Sequence, residues 1–444
     1  MKPPTLPDVA ARPAIDVVTW LTIYLVALLA IPSRLIIGPL GGAGSPSQLL
    51  GLASLVWWAW YHLSRSRTTG IGRQPVRLAL GAFILSVAVS YVLAMLRPIE
   101  RDEISSADLT LLAVLAWAGT LLIANDGILT MDRLQTLLGR LAMAVGLLSV
   151  LGIIQFASDR SFVDMISVPG LVAHQSVGET FDRGQFTRPA GTSVHPIEYG
   201  MVLTMFLPVA LHRGFYGFHL PAVARWSPLA AVALVIPLTL SRSAILGTVL
   251  SLAILVPTWP RTRRRISLIA VSALAVIMFV AVPGLIGTLS GMFTGIGEDS
   301  SAASRTGSYA IAGEFFARAP LLGRGLGTFL PRYRILDNQL LLLVIEIGIL
   351  GLLTFLAMII TAVWCMIRLR RRVRDERVRD LAQSMVASLA AGLASLALFD
   401  GFSFPMATGA LFLMIGLTGA LWRLGTVGQD LPPGPESHAV TGLA

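Results

Sequence analysis

The sequence predicts an all-α, polytopic integral membrane protein of about 12 transmembrane helices, with two long outer loops that carry short helices. Three observations point there. The 444-residue chain is 55% hydrophobic and 13% charged, with a mean hydropathy of +0.75, whereas soluble domains run near a quarter charged. Apolar runs of about 16–24 residues recur along it, the length that crosses a hydrocarbon core at about 1.5 Å per residue. Charge is confined to the segments between the runs. Inside lipid only helices and closed barrels satisfy their backbone groups, and these runs are too long for barrel strands.

Taken in order, residues 1–16 form a short polar lead. The first apolar run does not end in a small-residue cleavage site, so it reads as a retained helix. Spans are expected near 17–32, 47–63, 78–96, 109–124, 138–157, 197–211, 227–241, 243–258, 266–283, 338–361, 381–399 and 403–421. The arginine clusters Arg65–Arg77, Arg261–Arg265 and Arg368–Arg379 then all fall on one side, which the positive-inside rule makes cytoplasmic together with both termini. The short outer loops hold only Arg34, Arg97, Arg101 and Arg242. A missed or extra span between the clusters breaks that agreement. The net charge of +10 is therefore an orientation signal, and nucleic acid is not an expected partner.

Four regions follow: N-terminal transmembrane helices (1–157), a catalytic-type core (158–361), C-terminal transmembrane helices (362–426) and a disordered cytoplasmic tail (427–444). The two long outer segments, about 158–196 and 284–337, lie in the core. The second opens as a glycine-rich loop (Gly284, Gly287, Gly291, Gly295, Gly297) and has a short helical stretch near Ser308–Ala319. Cys365 is the only cysteine, so no intrachain disulfide forms, and the six histidines show no metal-ligand spacing. No metal or cofactor is expected.

The informative residues are charges beside apolar runs, where an arginine costs roughly 2.5–3.5 kcal/mol at the bilayer centre and so faces protein or water. Ser241-Arg242-Ser243 interrupts the apolar stretch 227–257, which is either one long tilted helix or two short ones meeting at a polar turn; the even span count that the arginine clusters require between Arg225 and Arg261 favours two. Arg242 is then either a snorkelling turn residue or a ligand for an anionic headgroup. The run from Arg188 to Gly200, RPAGTSVHPIEYG, leads from an outer loop into a span. It is either an ordinary helix entry or a site bearing Arg188, His195 and Glu198. Asp337-Asn338 precedes an apolar helix, the usual place for an N-cap. On a continuous helix Gly348 lies about 20° around from Asp337, with Gly351 near the same line, leaving a smooth face for a lipid chain or a close helix. Glu346 points the opposite way, toward a polar partner. Gly323-Arg324-Gly325-Leu326-Gly327 lacks the preceding strand and following Lys-Ser/Thr of a nucleotide loop.

The order of these motifs, RPAGTSVHPIEYG, then SRS, then GRGLGTF…DNQLLLLVIEIGILG, resembles the O-antigen ligase and polymerase family of membrane glycosyltransferases. The motifs span roughly 180–360, and the span count extends the resemblance to the whole chain. In that family a signature runs His, then Asn, Ser or Gln, nine residues, and Gly-x-x-Gly. Asn338, Gly348 and Gly351 fit it, while Asp337 stands in the His slot. The family's diphosphate-clamping arginines match Arg188 and Arg242, with Arg305 as a third. The resemblance implies a metal-independent, inverting transfer in surface polysaccharide assembly, with no cofactor, at the outer face of a bacterial cytoplasmic (inner) membrane. The donor is a glycan on a polyprenyl diphosphate, and the acceptor hydroxyl belongs to a glycan or lipid-glycan. Asp337 is the candidate base and His195 the second; Arg188, Arg242, Arg305, Asn338, Gly348 and Gly351 are the expected substrate-binding residues. A transporter or flippase of lipid-linked glycans is the alternative, but the chain shows no clear internal repeat.

Overall fold

A computed structural model describes residues 16–64, 74–174, 181–183, 185–294 and 300–427. Every expected span is a helix: α1 (Val17–Leu29), α2 (Pro46–Ser64), α3 (Pro75–Met95), α4 (Arg101–Gly127), α5 (Met131–Ser158), α6 (Pro196–Tyr216), α7 (Ala222–Leu238), α8 (Arg242–Leu255), α9 (Arg261–Ala281), α12 (Gln339–Arg372), α13 (Glu376–Leu396) and α14 (Pro405–Val427). Between α9 and α12 lie α10 (Leu285–Thr294) and α11 (Ser300–Arg318). Six of these helices are long and apolar enough to cross a bilayer, and shorter apolar ones accompany them. The protein is a polytopic all-α membrane protein. The C-terminal tail beyond residue 427 and Arg65, Arg67 and Arg73 lie outside the described residues.

The helices form one bundle. α14 is its centre, buried along almost its whole length, and α4, α12, α13 and α6 surround it. Lipid is as apolar as leucine, so such packing depends on close backbone approach and polar contacts. α2 crosses α4 at Gly51 and Gly119, where an added Cβ would meet the partner helix's backbone. α9 is the outlier. Only Arg263 and Met278 of its residues are buried. It is tied at one end by Arg263 to Asp380 (2.6 Å) and at the other by Met278 in a small apolar cluster.

The glycine-rich start of the second long segment is not the loop expected. It is helical as α10, because Leu285, Leu289 and Met292 recur on one face and join Met278, Leu238 and Leu240 in a cluster. Packing outweighs the cost of Gly287 and Gly291 in a helix. α11 is longer than the stretch expected.

Candidate active site at the loop-rich end

Two turns carry the basic residues of the two motifs. α7 ends at Leu238, Leu240 turns with φ +46°, and α8 starts at Arg242, so the SRS segment does join two helices. The Ser241 and Ser243 hydroxyls bond each other at 2.9 Å. The strands β1 (Leu35–Ile36) and β2 (Val172–Ala173) pair, as do β3 (Asp182–Arg183) and β4 (Phe186–Thr187). The second hairpin delivers Arg188, whose backbone N–H bonds the Phe181 carbonyl at 2.9 Å. Its side chain Nε donates to the Thr239 carbonyl at 3.0 Å, three residues before Arg242. Arg188 is thus bound to the turn that leads into Arg242.

His195 caps α6. Its Nδ1 accepts from Ile197 N–H at 3.1 Å, which fixes the proton on Nε2. Phe181 stands edge-on to its ring at 4.5 Å. Burial, aided by the Arg188 charge, pushes its pKa down to about 4. At neutral pH it is an uncharged imidazole with an N–H to offer and its lone pair already engaged. That geometry suits a donor better than the second base expected of it. Glu198 is fully buried and accepts from Val194, Met406 and Ala407 N–H groups, tying the starts of α6 and α14 together.

The Asp337 region differs from expectation in two ways. Asn338, not Asp337, is the N-cap of α12, its Oδ1 accepting from Leu341 N–H at 3.1 Å. Asp337 is therefore released from capping. Second, α12 is not a continuous helix: Gly348 has φ +68° and ψ −174°. Segment 320–325 enters the break. Ile349 N–H bonds Pro320 O (2.9 Å), Arg324 N–H bonds Ile345 O (3.1 Å) and Gly325 N–H bonds Glu346 O (2.7 Å). The about 20° alignment of Asp337 with Gly348 thus does not hold, and Gly348 faces the Leu321–Leu322 backbone, leaving no groove for a chain there. Gly351 is buried against Ile347. Glu346 does find its polar partner, the Phe329 N–H at 3.2 Å. Arg324 is held by Glu103, which also takes Arg97 (3.1 Å) and Tyr333 (2.6 Å). Arg305 lies on α11, its side chain outside the described residues.

One residue was missed in the sequence. Asp400 lies in the turn between α13 and α14, which is bound to the start of α12: Gln339 N–H bonds Phe399 O (3.1 Å) and Phe402 N–H bonds Gln339 Oε1 (2.8 Å). The Asp400 carboxyl is raised to about 6 by burial, with the nearby Asp337 charge adding to it. An acid between Phe399 and Gly401 in an apolar turn was the available signal. Phe404 joins this group to the basic one, its ring 5.4 Å from Phe399 and 6.2 Å from His195. Beside them opens a cavity of about 220 Å³ whose wall mixes apolar side chains such as Leu109 and Trp117 with Gln48, Ser106, Thr110 and Ser403. Among the described residues no His, Cys, Asp and Glu cluster has the arrangement of a metal site.

Residues 228–356 match the family described as O-antigen ligase. That supports the O-antigen ligase and polymerase family. No curated protein matches the chain. The O-antigen ligase match takes in Arg242, Arg305, Asp337, Asn338, Gly348 and Gly351, while Arg188, His195 and Asp400 lie outside it. It supports a membrane glycan-transferring enzyme of surface polysaccharide assembly, embedded in lipid and acting on lipid-linked glycans.

Proposed function

We propose that the protein moves a glycan from a polyprenyl diphosphate to an acceptor hydroxyl at the outer face of a bacterial cytoplasmic membrane, the loop-rich end facing out. The observation that carries this is the Arg188 bond to Thr239, in the turn that leads into Arg242 at the start of α8. Two guanidinium groups there suit the oxygens of a diphosphate. As the anomeric C–O bond breaks, the electron pair leaves with the diphosphate, and the arginines stabilise that charge in place of a metal. The acceptor oxygen attacks from the opposite side and inverts the anomeric centre. Its proton passes to Asp337. The cavity beside Ser403 is the proposed seat of acceptor sugars, whose hydroxyls pair with Gln48, Ser106 and Thr110 while their apolar faces rest on side chains such as Trp117. Asn338 caps the helix behind the base; Arg305 is a proposed third contact to the donor.

The test is purified protein reconstituted with a polyprenyl-diphosphate glycan and a glycan acceptor. Transfer should release one polyprenyl diphosphate per glycosidic bond. Movement of intact donor across the bilayer without bond cleavage would favour the transporter reading.

A further inference from the structure

A second cavity lies at the opposite, arginine-rich end of the bundle. α5, α6, the 217–220 turn and α13 enclose about 510 Å³. Arg140, Arg213, Arg377, Gln135 and His212 line it, with Asp132 as an acid in the same wall. Four buried nitrogens that have no hydrogen-bond partner belong to these residues: Gln135 Nε2, His212 Nε2, Arg213 Nε and Arg377 Nε. His212 is 3% exposed.

Charge is unbalanced there as well. Among the described residues none of the three arginines pairs with a carboxylate. Arg213 donates to the Gly139 and Ala224 carbonyls (2.7 and 3.4 Å), and Arg140 to the Thr22 hydroxyl (2.7 Å). Those partners accept hydrogen bonds without neutralising charge. The nearby Asp380 is taken by Arg263 (2.6 Å) and by His212 Nδ1 (2.8 Å). Arg140 is exposed, but Arg213 and Arg377 are half-buried, and half-buried guanidinium groups without a counter-charge are costly, with buried donors that lack partners adding to the cost. An anion with several acceptor oxygens removes both penalties at once. Planar arginine forks fit phosphate in particular.

We propose that this cavity binds a phosphate group. It lies at the level of lipid headgroups, because Gln135 precedes the apolar run of α5 and Arg213 follows that of α6. The phosphate of an anionic phospholipid is therefore the nearest source, and a soluble phosphate is the other. The site is remote from the proposed transfer chemistry and does not depend on it.

The test uses the full chain in nanodiscs of phosphatidylcholine alone or mixed with phosphatidylglycerol, with thermal midpoints and retained lipid measured. Arg377→Gln and Gln135→Leu are the variants, since neither side chain anchors a described helix contact. Phosphatidylglycerol should raise the parent's midpoint, and its retention should fall about tenfold in Arg377→Gln. Millimolar inorganic phosphate in phosphatidylcholine discs separates the sources: stabilisation there that is lost in both variants supports the site with a soluble ligand. If neither phosphate source stabilises the parent more than the variants, the proposal is overturned.

Discussion

The Arg188 guanidinium is held by the Thr239 carbonyl at 3.0 Å, so a loop arginine and a helix–helix turn form one unit. Arg188→Ala and Arg242→Ala should each lower glycan transfer by about 10²–10³-fold, the loss typical of one charge-stabilising donor. Pyrophosphate should inhibit the parent and lose potency against both variants. Full activity in either variant would remove that residue from the clamp.

Asp337 and Asn338 separate base from cap. Asp337→Asn should cost about 0.5 kcal/mol or less, because the α12 cap is Asn338, yet lower transfer by about 10²–10⁴-fold. Asn338→Ala should do the reverse, losing about 1 kcal/mol of stability with a smaller kinetic effect. The measurements are denaturation midpoint and transfer rate on the same preparations. Near-parental transfer by Asp337→Asn would end its candidacy.

Asp400 gives a pH signature. Its folded pKa is raised from 3.8 to about 6, so the folded state holds that proton more tightly than the unfolded chain. Its contribution is fully present below pH 4 and is lost as pH rises through about 6. Asp400→Asn should flatten this segment of the stability curve between pH 4 and 7. An unchanged curve would contradict the burial of that carboxyl.

The break in α12 makes Gly348 irreplaceable. At φ +68° an alanine is strained, and its Cβ would overlap the Leu321 carbonyl. Gly348→Ala should destabilise by more than about 2 kcal/mol, read as a lost or sharply lowered thermal midpoint. Gly287→Ala in α10 meets open space and should be neutral or slightly stabilising.

Orientation is tested by reporter fusion. A periplasm-active enzyme fused after Asp182 should be active, and one fused after Arg372 inactive. The opposite pattern would invert the bundle and move the proposed site to the wrong face.

Much of this protein is determined by its sequence alone, since a bilayer fixes the length of an apolar run and penalises charge within it. All twelve helices expected as spans and the SRS turn between α7 and α8 follow from that rule, which needs no partner segment. What only the tertiary structure decided depends on contacts between remote segments. Asn338 rather than Asp337 is the cap of α12, whose start is also bound through Gln339 to Phe399 and Phe402. Gly348 left the helix because segment 320–325 supplies the hydrogen bonds that the break forfeits. Asp400 meets Asp337 across a turn from another helix pair, and Arg188 meets Thr239 across a loop. Local propensity carries no information on such pairings; they arise where buried donors and acceptors must find partners, wherever in the chain those lie.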